Sequence, residues 1–181
     1  MPIDLIIGPM FAGKSTELIR RARRFQIIGK KTFVINHVFN NRYGSTAITT
    51  HDDVVLAPNL ITGNLAGALD HECYADADVV VIEELQFFEN AATVLAIMAD
   101  RDNKHVVASG LSGSAERTPM GDMSHIMCRA DTIEFVTALC PFCGDGTPAP
   151  FSKRIVTARG TVDVGGADKY VAACRKHFLS P

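Results

Sequence analysis

Residues Gly8, Pro9, Met10, Phe11, Ala12, Gly13, Lys14 and Ser15 follow the pattern G-x-x-x-x-G-K-[ST], with Thr16 continuing it. An apolar run, Ile3 to Ile7, interrupted only by Asp4, precedes them, and a helical pattern follows. That strand–loop–helix context is the one in which this motif binds phosphate. Two glycines let successive backbone N–H groups converge on phosphate oxygens. Lys14 offers a cation to the β- and γ-phosphates, Ser15 a hydroxyl to Mg²⁺, and the helix the positive end of its dipole. The alternative is an ordinary Gly-containing turn before a helix. With Gly near ~7% of average usage, a chance match in a chain of this length is on the order of one per cent. The sequence therefore reads as a nucleoside triphosphate binder.

Two further constellations carry chemistry. Glu83-Glu84 ends a β-branched run, Val79 to Ile82. A carboxylate at such a strand end, beside a phosphate loop, holds Mg²⁺ directly or through water, and a second can accept the proton of an attacking hydroxyl. Cys140-Pro141-Phe142-Cys143 and Cys174-Arg175-Lys176-His177 are C-x-x-C and C-x-x-H half-sites. Together they supply Cys₃His, a closed tetrahedral zinc set in which the ion is structural. A redox C-x-x-C pair would leave the matching second spacing unexplained. Cys73 and Cys128 have apolar neighbours and read as small core residues.

Composition bounds the rest. The 181 residues are 47% hydrophobic, enough for one domain with a core and a small appendage. A net charge of −2 gives no electrostatic footprint for nucleic acid. No stretch approaches a membrane span and no signal peptide is expected. Five cysteines, an odd number, argue against a secreted disulfide framework and for a reducing, cytoplasmic setting. Arg20, Arg21, Arg23 and Arg24 form a basic cluster read as a solvated helix face.

The elements that must position these groups form an α/β pattern. Glu17 to Ile28 carries Leu18, Ala22, Phe25 and Ile28 at helical spacing, and Gly29 stops it. Thr32 to Ile35 is a strand, residues 36–52 a loop or short hairpin, and 62–70 a short helix. Val79 to Ile82 is a central strand, Asn90 to Asp100 a helix buried through Val94, Leu95, Ile97 and Met98, and His105 to Ala108 a strand. Ser109 to Met123 reads as irregular, and Thr132 to Val136 as the last strand. The composition shifts after Leu139, so two domains are expected, 1–138 and 139–181.

The stretches Gly8 to Leu18, Glu83 to Phe88 (Glu-Glu-Leu-Gln-Phe-Phe) and Gly165 to Tyr170 (Gly-Gly-Ala-Asp-Lys-Tyr), with the paired zinc half-sites, resemble the cellular and poxviral (type II) thymidine kinases. The resemblance runs from about residue 3 to about residue 178. It implies a RecA-like P-loop domain with a mainly parallel sheet, plus a small C-terminal zinc-binding domain whose lasso loop closes over the nucleoside. It implies ATP and Mg²⁺ as cosubstrates, structural Zn²⁺, 5′-phosphorylation of thymidine, and a homotetramer. By position it makes Glu84 the general base, Glu83 the metal-side acid (often Asp in the family) and Phe87 a wall of the base pocket. Arg42 falls near the reacting phosphate. Met10, Leu111, Ala115, Met120 and Tyr170 fall around the nucleoside.

The chain also departs from this pattern. Asn40 stands where an Asp is usual, and Glu83 reaches one methylene further than Asp. Ala115 and Met120 replace two phenylalanines of the base pocket, and Asp163 falls where an apolar residue is common. A related kinase for another or a 5-modified pyrimidine deoxynucleoside is the alternative within enzymes. A catalytically silent nucleotide-binding module is the alternative outside them.

Overall fold

The computed structural model describes residues 1–40, 48–49, 55–157 and 165–180. Arg42 and Asp163 lie outside these residues. Six strands make one sheet: β1 (Ile3–Gly8), β2 (Thr32–His37), β5 (Leu60–Thr62), β6 (Val79–Ile82), β7 (His105–Leu111) and β8 (Thr132–Phe135), in the order β5-β2-β6-β7-β1-β8. Every pairing in it is parallel. Between β2 and β5, β3 (Ile48–Thr49) and β4 (Val55–Leu56) pair antiparallel as a short hairpin.

Side-chain alternation along the strands builds two cores. Ile3, Leu5 and Ile7 of β1, with Val80 and Ile82 of β6, face one way. There they meet α3 (Ala91–Ala96), which continues as a wider turn over Ile97–Arg101, and α4 (Met123–Met127). Ile6, Val79, Val81 and Val107 face the other way, onto Leu18, Ile19 and Ala22 of α1 (Lys14–Ile27). The result is an α/β/α layering of the kind a parallel sheet requires, because both its faces are apolar. A 3₁₀ turn (Ala66–Asp70) and α2 (Glu72–Asp76) close the path into β6.

Four expectations change here. Ile28 lies just beyond the end of α1, at 70% exposure, so the buried stripe is Leu18, Ile19 and Ala22. Ile97 is half-buried where the helix widens, and Ala91, Ala92 and Ala99 supply burial instead. Ser109 to Leu111 are strand rather than loop, because β7 stays paired with β1 as far as Gly8↔Leu111. Cys128 is exposed at the end of α4, and its thiol donates to the Ser124 carbonyl at 3.4 Å; Cys73 is half-buried on the core.

After β8 the chain forms smaller antiparallel pairs. β9 (Ala138–Leu139) pairs with β10 (Pro148–Ala149), and β11 (Phe151–Arg154) with β12 (Tyr170–Ala173), before α5 (Arg175–Leu179). Among the described residues, no helix is long and apolar enough to cross a membrane.

Asp4, the odd residue of the first apolar run, links three strands. Its carboxylate accepts from the Thr132 hydroxyl of β8 at 2.5 Å and lies 2.7 Å from His105 Nε2 of β7. Burial alone would raise this carboxyl, but the Thr132 and His105 bonds, with the His105 and Arg21 charges, outweigh it and hold it below the usual 3.8. A carboxyl lowered by folding adds stability above its unfolded value, and that stability is lost as pH falls through the folded one. Asp4→Asn is therefore expected to flatten the acid limb of stability. Urea midpoints followed from about pH 6 to about pH 2 should fall further for the wild type than for the variant. Parallel curves would refute the linkage.

Candidate functional site

The carboxyl end of β1 turns directly into the phosphate-loop residues. A Cβ on Gly8 would sit 2.2 Å from the Val136 carbonyl oxygen, so only glycine lets the chain beyond β8 cross this close. Phe11 (φ 65°) and Gly13 (φ 79°) take the left-handed conformation that curls the loop back onto α1. A non-glycine residue held there costs about 1–3 kcal/mol, which the surroundings must supply. The first amides of α1 point into the loop, with the positive end of the helix dipole behind them. Lys14 Nζ donates to the Pro9 carbonyl at 2.7 Å, which holds the ammonium at the loop. The Met10 N–H donates to Ser152 Oγ at 2.9 Å, a buried bond that ties this loop to β11.

Next to the loop stand the two acids. Ser15 Oγ donates to Glu83 Oε1 at 2.5 Å, and Ser109 Oγ donates to Glu83 Oε2. Glu83 is 3% exposed; burial, then the neighbouring Glu84, push its carboxyl up to about 7 against the pull of Ser109, Ser15 and Lys14. The Ser15 hydroxyl and the Glu83 carboxylate are hard oxygen donors of the kind that fit Mg²⁺. Glu84 is buried and takes the left-handed backbone (φ 57°, ψ 42°), which turns the chain out of β6. Its Oε2 accepts from Gln86 Nε2 at 2.5 Å, and Gln86 Oε1 accepts from the Leu111 N–H at 3.0 Å. Buried Gln86 thus braces Glu84 against the end of β7. Asn40, the departure from Asp, donates to Asn36 Oδ1 at 3.0 Å, a neutral pair at the end of β2.

On the far side of the loop, Met10, Leu111 and Tyr170 form a buried apolar cluster, with Phe11, Ala115 and Met120 packed on it. Five sequence-predicted pocket residues are therefore together. Phe87 is not on this cluster; its ring packs against His37 (5.4 Å between centroids) and Phe39 (5.7 Å). Tyr170 is the first residue of β12, whose pairing with β11 brings together the two ends of the intervening segment.

Cys140, Cys143, Cys174 and His177 converge so that their ligand atoms lie within 4.8 Å of one another. Cys143 and Cys174 sulfurs are 3.8 Å apart, and His177 Nδ1 is 3.6, 3.4 and 3.3 Å from Cys140, Cys143 and Cys174. Zn–S near 2.3 Å and Zn–N near 2.05 Å give tetrahedral edges of about 3.8 Å (S···S) and about 3.5 Å (S···N), so the four atoms fit zinc. Locally, Cys140 and Cys143 sit on a tight turn closed by Gly144 N–H to the Cys140 carbonyl at 3.1 Å. Cys174 is the N-cap of α5, which places His177 one turn on.

Four residues that sequence reading did not single out complete the site: Ser109, Gln86, Ser152 and Asn36. Ser109, Gln86 and Ser152 are revealed only by partners far away in sequence, and Asn36 by Asn40 just beyond β2.

Over residues 1–178 the chain matches the family described as thymidine kinase. It is 35% identical to the thymidine kinase of Fowlpox virus (strain NVSL), across 98% of this chain and 97% of that one. It is 38% identical to that of Rabbit fibroma virus (strain Kasza), across 98% and 96%. It is 37% identical to that of Oryza sativa subsp. japonica, across 98% of this chain and 66% of that longer one. On sequence and architecture together, this chain belongs to the thymidine kinase family.

Proposed function

We propose that the chain transfers the γ-phosphoryl group of ATP, accompanied by Mg²⁺, to the 5′-hydroxyl of thymidine. The observation that carries this reading is the adjacency of Glu83, bonded to Ser15 of the phosphate loop, and Glu84, turned away from it. One acid thus serves the nucleotide side and the other the acceptor side. The loop amides and Lys14 neutralise and align the triphosphate, and Glu84 takes the proton of the 5′-hydroxyl. Arg42 belongs to the same reading as a further cation near the transferring group. When bound, Mg²⁺ adds charge neutralisation at the β- and γ-phosphates; Ser15 and Glu83 are the residues that would hold it. Gly8 through Thr16 cradle the phosphates. Met10, Leu111, Ala115, Met120 and Tyr170 line one side of the nucleoside in this reading, and Phe87, which packs apart from them, belongs to another side.

The same reading carries a division into domains 1–138 and 139–181, zinc at the Cys₃His set, a cytoplasmic location and a homotetramer. Ile27, Ile28, Ile133 and Phe135 are exposed on α1, just beyond it, and on the edge strand β8; self-association would cover such residues. A second reading also has an observation behind it. Ala115 and Met120 leave this cluster with fewer rings than the family pattern, which favours another pyrimidine deoxynucleoside or one whose 5-substituent is bulkier than the methyl of thymidine.

Four measurements test these statements. A nucleoside panel with ATP and Mg²⁺ is expected to release ADP with thymidine and not with purine nucleosides. Glu84→Gln should keep nucleotide binding and lower turnover by roughly 10²–10⁴-fold. Near-wild-type kcat in that variant would remove Glu84 as the base. Elemental analysis should find about one zinc per chain, and chelation should raise KM for the nucleoside more than for ATP. Metal-free protein with unchanged KM values contradicts the zinc assignment. Ala115→Phe should lower KM for thymidine and penalise bulky 5-substituents, since a buried ring is worth roughly 1.5–3 kcal/mol. If neither KM moves, residue 115 does not face the base.

A further inference from the structure

Glu83 is longer than the aspartate usual at its position in the family, and the extra methylene adds a rotor to a carboxylate whose aim matters. Mg²⁺ demands near-ideal octahedral geometry, so a ligand-side acid free to swing would hold it poorly. The structure answers this with a second hydroxyl. β6 and β7 pair in parallel with Ile82↔Ala108 in register, which sets Glu83 and Ser109 side by side at the carboxyl ends of the two strands. Ser109 is 1% exposed and follows the apolar Val106, Val107 and Ala108 of β7. Its single proton goes to Glu83 Oε2. The other oxygen, Oε1, takes the Ser15 proton at 2.5 Å.

We propose that Ser109 is a positioning residue for the nucleotide-bound cation: by anchoring one oxygen of Glu83 it keeps the other on Ser15. A hydroxyl has one proton and two lone pairs. With its proton committed to Glu83, Ser15 presents only lone pairs to the phosphate loop, the orientation a hard cation needs. Without Ser109, the Glu83 carboxylate has a buried oxygen lacking this donor and a rotor no longer restrained. Ser15 then loses the fixed acceptor that sets its own rotamer. Ser109 need not touch nucleotide, cation or nucleoside to act in this way.

This inference rests on the metal–nucleotide half of the proposed function, and its test uses no nucleoside. Binding of a fluorescent ADP analogue to the full chain is measured with excess Mg²⁺ and again with EDTA. Ser109→Ala is expected to reduce the Mg²⁺-dependent gain in affinity by about tenfold, the order of one charge-assisted hydrogen bond, while the affinity in EDTA stays within about twofold. The same substitution is then made beside Glu83→Asp. The shorter acid draws back from residue 109, so Ser109→Ala should change the Mg²⁺ gain there by less than about twofold. If Ser109→Ala alone does not fold, Ser109→Cys, close in shape but a much weaker donor, takes its place in both backgrounds, with the same outcomes read from it. An unchanged gain in the single variant overturns the proposal. So does an equal loss with and without Mg²⁺, or the same loss in both backgrounds. A protein that shows the coupling yet fails to phosphorylate thymidine keeps this inference and loses the assigned reaction.

Discussion

Parallel pairing brings the carboxyl ends of β1, β6 and β7 side by side, and the rest of the site depends on that constraint. Each end delivers a different chemical group: the phosphate loop from β1, Glu83 and Glu84 from β6, Ser109 and Leu111 from β7. Ligands in open α/β sheets bind outside these ends because the strands stop there while backbone and helix dipoles still point inward. Here the spacing is tight enough that β-carbon room becomes decisive. Gly8 has none to give to the Val136 carbonyl. A larger residue at that position would push the loop away from β8 and shift every amide after it.

Burying two adjacent acids at this edge creates an electrostatic problem that the neighbours partly solve. Glu83 is pushed up by burial and by Glu84, and drawn down by two hydroxyls and Lys14. Backbone turning separates the two carboxylates: the left-handed Glu84 directs its side chain to Gln86, whereas Glu83 stays with Ser15 and Ser109. The energy stored in that unusual backbone, about 1–3 kcal/mol, sits at the residue proposed as base. A cation at the phosphate loop favours the charged form of Glu83 and so opposes the burial penalty directly.

Local features were legible in the sequence and register-dependent ones were not. The phosphate loop and the Cys/His half-sites each lie within a few residues, and their residue types have few other uses. The central position of Val79 to Ile82 followed from four consecutive β-branched residues, which only a strand buried on both faces accepts. By contrast, Ser109 followed by Gly110 reads as a break, because serine and glycine weaken a strand taken alone; pairing with β1 overrides that. Gln86 and Ser152 bond across 25 and 142 residues, to Leu111 and Met10, and no local pattern encodes those partners. The apolar neighbours of Cys128 do not say which side of a short helix faces out. Met123 and Ile126 take the inner face of α4 and leave Cys128 to solvent.

The Cys₃His cluster and the apolar cluster of Met10, Leu111 and Tyr170 are joined by side chains, not only by chain connectivity. Arg117, in the loop between Ala115 and Met120, stacks over Phe178 of α5 at 4.7 Å and over Phe151 of β11 at 5.7 Å. Arg175 lies over the other partner, Phe151, at 4.9 Å. Glu116 pairs with Arg154 at 3.3 Å, and Arg154 stands over the Tyr170 ring at 5.7 Å. Cation–π contacts are worth about 0.5–1 kcal/mol each where exposed, so no single one holds the loop. All of them require α5 and the β11–β12 pair to stay in place. α5 is five residues long, too short to persist on its own. Its position follows from Cys174 at its start and His177 one turn later, both in the Cys₃His cluster. An ion bound there would therefore act on the Met10–Leu111–Tyr170 cluster through Phe178, Arg117 and the loop that carries Ala115 and Met120. The phosphate loop, rooted in β1 and α1, would feel it through Phe11 and Ala12, which pack on the same cluster as Cys140 and Cys174, and through the Met10–Ser152 bond.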